Sequence, residues 1–182
     1  MKRLDTKIQG LVLVEPARFG DERGFFMETW QKERYDSVGI NASFVQDNLS
    51  KSRYGVLRGL HLQNPFGQGK LISVIQGEVF DVAVDVRVGS PTFGQAETVV
   101  LTDKNRLQFY IPPGFAHGFL VTSESALFMY KCTETYHPET ELTVKWNDPT
   151  INIPWPIQDV QLSEKDAQGL SLQELEPSLP RY

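Results

Sequence analysis

The sequence has one cysteine, Cys132, and three histidines, His61, His117 and His137, in 182 residues. A single thiol excludes an internal disulfide, and no Cys/His cluster has zinc-site spacing, which fits a reducing compartment. Basic runs are absent too. Against 23 Asp and Glu stand only 18 Lys and Arg, for a net charge of −5, and no basic-aromatic stripe offers the phosphate neutralisation that drives nucleic-acid binding. No apolar stretch approaches the length of a membrane span, and Met1-Lys2-Arg3-Leu4-Asp5 lacks the apolar core of a signal peptide. Repeats and low-complexity segments are missing. The expectation is a cytoplasmic protein without nucleic-acid or membrane partners, folded as a single domain over residues 1–182, with the ordinary hydrophobic content of 40%.

What the chain does have is many short strands. Tyr54 to Val86 reads as three in succession, Val56 to Gln63, Leu71 to Ile75 and Val79 to Val86, separated by Asn64-Pro65-Phe66-Gly67-Gln68-Gly69 and by Gln76-Gly77-Glu78. In the third, Phe80, Val82, Val84 and Val86 alternate with Asp81, Ala83 and Asp85, so an apolar face backs a polar one. Upstream, Leu11 to Val14 is a strand, Phe19 to Gly24 a turn and Phe25 to Trp30 a strand. A short helix from Gln31 to Val38 stops at Gly39. Phe44 to Leu49 follows as a strand with Gln46 and Asn48 on one face. Downstream, Ala96 to Leu101, Leu107 to Ile111, Phe115 to Val121 and Ala126 to Thr133 are strands, and Trp146 to Pro156 is a proline-punctuated loop. Ser163 N-caps a last short helix. About ten short strands with minor helices predict an all-β antiparallel sandwich or small barrel, most naturally a jelly roll holding a ligand between its sheets.

Several polar residues interrupt these strands. His61, within Arg58-Gly59-Leu60-His61-Leu62-Gln63, reads by itself more readily as a hydrogen-bonded structural histidine than as a functional one. A metal role is disfavoured, because no His-x-His pair is present and the other histidines stand alone. Strict alternation puts Arg58 opposite His61, unless a bulge at Gly59 re-aims one of them into a shared cavity. Lys70 alone is a solvated lysine and Tyr130 a core tyrosine. Asp166, three residues after Ser163, fits the acidic position of a capping box.

Taken together, the motifs resemble the dTDP-4-dehydrorhamnose 3,5-epimerase family over nearly the full length. They are Phe19-Gly20-Asp21-Glu22-Arg23-Gly24-Phe25-Phe26, Phe44-Val45-Gln46-Asp47-Asn48, Arg58-Gly59-Leu60-His61-Leu62-Gln63, Gly69-Lys70-Leu71, Gly77 to Asp85, Pro113-Gly114-Phe115-Ala116-His117-Gly118 and Trp146-Asn147-Asp148. The resemblance implies a cupin-type jelly roll that works as a homodimer without metal or redox cofactor. It implies inversion of C3 and C5 of dTDP-4-dehydro-6-deoxy-D-glucose; the alternative is a single-centre epimerase or ketoisomerase acting on a related dTDP-sugar. It also implies His61 as base, Asp166 as its orienting partner, Lys70 as enolate support and Tyr130 as acid. For substrate it points to Arg58 and Arg23 at the diphosphate, to Phe19, Phe26, Glu28, Gln46 and Asn48 around the thymidine, and to His117 and Tyr136 near the sugar-phosphate end. Part of the nucleotide site is expected from a partner subunit.

Overall fold

In the computed structural model, which describes residues 1–182, strands β1 (Lys2–Leu4), β2 (Val12–Glu15), β3 (Arg18–Asp21) and β4 (Gly24–Met27) precede helix α1 (Lys32–Asp36). Then come β5 (Gln46–Arg53), β6 (Leu57–Gln63), β7 (Lys70–Gln76), β8 (Glu78–Asp85), β9 (Ala96–Thr102), β10 (Gln108–Ile111), β11 (Phe115–Val121), β12 (Ser125–Cys132) and β13 (Glu141–Thr143). Helices α2 (Glu164–Ala167) and α3 (Leu172–Leu175) close the chain. Two antiparallel sheets are formed, β1-β2-β10-β7-β12-β5 and β13-β6-β11-β8-β9, with β3-β4 as a separate hairpin. Apart from β1–β2 and β8–β9, neighbouring strands are distant in sequence, as in the expected jelly roll.

Apolar alternation explains the layers. Between the sheets lie Ile72, Val74, Val79, Ala83, Phe109, Phe119, Val121 and Phe128. On the other side of the five-stranded sheet Val82, Val84, Leu60 and Leu120 pack under Ile151, Ile153, Trp155, Leu172 and Leu175 of the C-terminal segment. The six-stranded sheet is covered by α1, whose buried Tyr35 packs with Val12, Val14 and Ile40. Both faces of β8 are therefore buried. Its apolar face lies under the C-terminal segment, and its Asp81 side faces the interior between the sheets.

Several boundaries differ from the sequence reading, among them β5, which runs Gln46–Arg53 rather than Phe44 to Leu49 because it pairs with β12 along that whole length. Phe19 to Asp21 is a strand, because Phe19 pairs with Phe26 and Arg18 with Met27 across a hairpin, and β4 ends at Met27 rather than Trp30. The short strands β1 and β13 carry no alternation of their own and exist through pairing with β2 and β6. Helix α1 forms where expected but is shorter, Lys32–Asp36 rather than Gln31 to Val38, with Gln31 as N-cap accepting the Arg34 amide at 2.7 Å and Gly39 beyond its end at φ +96°.

Asp85 does not face the cavity. At the end of β8 its carboxylate accepts from the Arg87 guanidinium at 2.7 and 2.8 Å, from Ser90 Oγ at 2.6 Å and from Thr92 Oγ1 at 2.6 Å. The same guanidinium lies 4.6 Å over the ring of Phe115, the first residue of β11. Burial pushes the Asp85 carboxyl up, but the bonds from Arg87, Ser90 and Thr92 outweigh it and hold the pKa at about 2, against an ordinary 3.8. Because the folded value is depressed, this stability is present above pH ~4 and is lost as pH falls towards ~2. We predict that Asp85→Asn costs about 2 kcal/mol at neutral pH, and that the gap between variant and wild type closes on acidification through that window. Urea titrations at several pH values measure it, and a gap independent of pH would refute the assignment.

Candidate active site

A cavity of about 290 Å3 opens between the two sheets, lined by Ser50, Arg58, His61, Lys70, His117, Phe119, Phe128, Tyr130, Ser163, Lys165 and Asp166. Its walls come from both layers. His61 and His117 sit opposite each other on β6 and β11 of the five-stranded sheet. Lys70 and Tyr130 sit on the neighbouring strands β7 and β12 of the six-stranded sheet. The stacked rings of Phe119 and Phe128, 4.0 Å between centroids, form an apolar floor.

Arg58 reaches this cavity through a bulge. His117 pairs with His61 but Phe119 pairs with Arg58, so three residues of β6 are matched to two of β11. Gly59 makes this possible at φ +121°, and a Cβ there would lie 2.6 Å from Gly118 Cα and 2.7 Å from the His117 oxygen. Arg58 Nε then donates to Ser52 Oγ at 3.0 Å.

His61 Nε2 lies 2.6 Å from Asp166 Oδ1. Helix α2, which carries Asp166, has only four residues and is held by its flanks: Gln161 bridges to Val56 beside β6, and Leu170 to Val144 after β13. The expected capping box is half formed. Ser163 Oγ accepts the Asp166 amide at 3.1 Å, but the Asp166 carboxylate turns to His61 instead of returning to the Ser163 backbone. Burial raises the Asp166 carboxyl, yet the His61 hydrogen bond and charge, with Ser163 and the Gly59 amide, bring it below its usual value. An ionised Asp166 accepts the Nε2 proton, which leaves Nδ1 as the basic nitrogen.

Sequence reasoning missed what lies beside Nδ1. Glu141 Oε1 is 3.9 Å from it, and the Glu141 carboxylate also accepts from Lys165 Nζ and, at 2.8 Å, from the Tyr136 hydroxyl. His61 thus stands between two carboxylates. No local pattern marks Glu141; only the pairing of β13 with β6 brings it there. His117 Nε2 lies 3.1 Å from Asp81 Oδ2, and burial depresses the imidazole more than Asp81 restores it. The two groups face the interior from adjacent strands.

Lys70 and Tyr130 both border the cavity. Burial lowers the Lys70 ammonium pKa, against the raising influence of Cys132, Glu141 and Asp81, and raises that of the Tyr130 phenol. Lys70 is therefore the readier proton donor of its kind, and Tyr130 stays protonated at neutral pH.

The remaining candidates divide. Gln46 and Asn48 bond to each other at 3.1 Å on β5, with Asn48 beside Tyr130 in register and Gln46 accepting the Tyr136 amide. By contrast Phe19, Arg23 and Phe26 lie on the exposed β3-β4 hairpin, outside the cavity, with Phe19 68% and Phe26 71% exposed and Arg23 paired to Asp21. Glu28 pairs with Arg34 at 3.1 Å. Within one chain these four do not join the catalytic candidates.

Fold and cavity together define a cupin-type jelly roll whose interior is fitted for acid–base chemistry on a small polar ligand. Residues 5–174 match the family model described as dTDP-4-dehydrorhamnose 3,5-epimerase. The chain is 53% identical over 171 residues, 93% of its length and 94% of the relative's, to the Pseudomonas aeruginosa protein of that name. Among solved structures, a Legionella pneumophila dTDP-6-deoxy-D-glucose-3,5-epimerase in complex with dTDP-4-keto-L-rhamnose is 54% identical, covers 100% of this chain and 98% of its own, and superposes at a TM-score of 0.97. ChmJ, a 3'-monoepimerase from Streptomyces bikiniensis, is 34% identical over 97% of this chain and 91% of its own, at a TM-score of 0.90. The chain belongs to the dTDP-4-dehydrorhamnose 3,5-epimerase family.

The bulge is testable directly. Gly59→Ala is expected to cost about 3 kcal/mol, from backbone strain and overpacking against β11, and to cut turnover by moving Arg58 and His61 apart. Wild-type stability and turnover in this variant would show that the close approach is not required.

Proposed function

We infer that the chain inverts C3 and C5 of dTDP-4-dehydro-6-deoxy-D-glucose to give dTDP-4-dehydro-L-rhamnose, an isomerase step of dTDP-L-rhamnose biosynthesis. The observation that carries this reading is the placement of His61 and Tyr130 on facing walls of one cavity, with Lys70 beside Tyr130. Both carbons flank the C4 ketone. His61 Nδ1 removes a proton from one of them, and the electron pair moves onto the ketone oxygen, where Lys70 stabilises the enolate. Tyr130 returns a proton to the opposite face of that carbon, which inverts it. Solvent then reprotonates Tyr130 and deprotonates His61, and the cycle repeats at the second carbon. Asp166 keeps Nδ1 free and, with Glu141, steadies the imidazolium. No step calls for a metal or redox cofactor.

Substrate identity is supported by the relatives, in particular by the Legionella enzyme and its bound dTDP-4-keto-L-rhamnose. A single-centre reaction is the second reading, and ChmJ is its precedent. The higher identity to the 3,5-epimerases favours double inversion. A cavity of about 290 Å3 is at the bottom of the range of ligand pockets, ~300–1,000 Å3, and accommodates a sugar ring better than a whole nucleotide sugar. We therefore assign the thymidine end to the exposed hairpin of a second subunit, whose Phe19 and Phe26 stack on the base and whose Arg23 meets phosphate beside Arg58. Gln46, Asn48, His117 and Tyr136 border the substrate in this homodimer. No helix is long and apolar enough to cross a membrane, in keeping with a cytoplasmic site of action.

Incubation of the substrate in heavy water with a rhamnose-forming reductase tests the reaction. We expect deuterium at both C3 and C5 of the trapped product; label at one carbon selects the single-centre reading, and no label rejects catalysis. For the residues, His61→Ala is expected to lose exchange at both carbons while dTDP affinity stays within a few-fold. Tyr130→Phe is expected to lose net inversion while retaining part of the wash-in through His61. Turnover by His61→Ala, or equal loss of both signals in Tyr130→Phe, would overturn the respective role.

A further inference from the structure

Strand β5 lies at the edge of the six-stranded sheet and alternates without interruption: Asp47, Leu49, Lys51 and Arg53 are exposed, while Gln46, Asn48, Ser50 and Ser52 turn inward. Four consecutive inward residues are thus polar, in a sheet whose other strands turn Ile72, Val74, Phe109 and Phe128 to the interior. An apolar row would pack there more favourably, so the polar row calls for an explanation. Three of its members have protein partners. Gln46 bonds to Asn48 and accepts the Tyr136 amide, Asn48 Nδ2 reaches Cys132 Sγ at 3.5 Å, and Ser52 accepts from Arg58 Nε.

Ser50 has none. Its Oγ is buried and without a hydrogen-bond partner, although it borders the cavity together with Arg58, His61, Lys70 and Tyr130. In register it stands against Phe128, whose ring stacks with Phe119, so the protein surface on that side is aromatic and offers no acceptor. Buried hydroxyls in folded proteins are almost always satisfied. The group that satisfies this one enters through the cavity.

We propose that Ser50 is a substrate-positioning residue that donates its hydroxyl to an oxygen of the bound sugar nucleotide, either on the sugar ring or on the phosphate next to it, and that Ser52 positions Arg58 for the diphosphate. This rests on the substrate class inferred above. The inward face of β5 then forms one polar rail along the ligand, with Asn48 next to the acid Tyr130, Ser50 over the aromatic floor and Ser52 holding the guanidinium. A hydroxyl suits the middle position because it rotates to meet an acceptor without adding charge next to Lys70 and Arg58.

The test uses the full chain with Ser50→Ala, Ser52→Ala, Arg58→Ala and the double variant Ser52→Ala/Arg58→Ala. Since Ser50 Oγ has no hydrogen-bond partner within the protein, Ser50→Ala is expected to melt at or above the wild-type temperature without ligand. Its KM is expected to rise about five- to tenfold, the effect of one lost neutral hydrogen bond. Calorimetric titration with dTDP and with dTDP-L-rhamnose locates the acceptor: weakening for the sugar nucleotide alone places it on the sugar, and weakening for both places it on the phosphate. Wild-type KM and affinities in Ser50→Ala, or a clear fall in its ligand-free melting temperature, would overturn the assignment. Ser52→Ala is expected to weaken dTDP binding in the wild-type background and to add nothing in the Arg58→Ala background; equal effects in both backgrounds would remove Ser52 from the proposal. Failure of the underlying reading is separate, because the wild-type protein itself would then show no exchange in heavy water.

Discussion

Two facing glycines permit the arrangement on which the site depends. At Gly59 and Gly118 strands β6 and β11 come so close that a Cβ on Gly118 would lie 2.7 Å from the Arg58 oxygen and 2.8 Å from Leu60 Cδ2. Only residues without side chains allow this approach, and only a residue that tolerates positive φ allows the bulge. Its effect is to break the period of two at the one place where that period would send Arg58 and His61 to opposite faces. Without it the five-stranded sheet would present either its histidine or its arginine to the ligand. With it, a guanidinium and an imidazole share one wall of the cavity.

The second dependence is electrostatic. His61 sits between Asp166, 2.6 Å from Nε2, and Glu141, 3.9 Å from Nδ1, and the difference in distance separates their effects. Asp166 is close enough to fix the ring and its tautomer. Glu141 is too far to accept a hydrogen bond from Nδ1 or to block that nitrogen. Its own carboxylate is held in place by Lys165 and Tyr136. Because these partners are already in place, the ring is held without rearrangement when a ligand enters the cavity.

Most of the jelly roll was legible because its strands carry the period of two and are separated by Gly and Pro turns. The elements that escaped, β1, β13 and half of the β3-β4 hairpin, are three or four residues long and owe their conformation to a neighbour across the sheet. In the site the local motifs named His61, Lys70, Tyr130 and Asp166, yet each had an adequate structural explanation until the resemblance set them in one reaction. Asp166 shows why: one residue serves two purposes, its amide completing the cap with Ser163 while its carboxylate leaves for β6. Ser50 and Ser52 were within reach. Extending the alternation of Gln46 and Asn48 two steps finds them, and it was ending that strand at Leu49 that hid the polar row. Glu141 and Lys165 were not within reach, since the contacts that join them link β13 and α2, far apart in sequence.

The division between walls and hairpin also follows from physical chemistry. Proton transfer needs a base, an acid and an enolate partner fixed to within fractions of an ångström, and rigid, mutually paired strands of one chain provide that. Gripping a nucleoside needs area and an aromatic face, and it tolerates a looser frame. The β3-β4 hairpin has the matching composition, with Phe19, Phe25 and Phe26 exposed on a two-stranded ribbon that belongs to neither main sheet. Three exposed phenylalanines on an isolated hairpin are unfavourable in water and are stabilised when covered. In the proposed dimer the partner and the thymine ring cover them, so subunit association and nucleotide binding draw on the same apolar surface, while the chemistry stays on strands that association does not need to move.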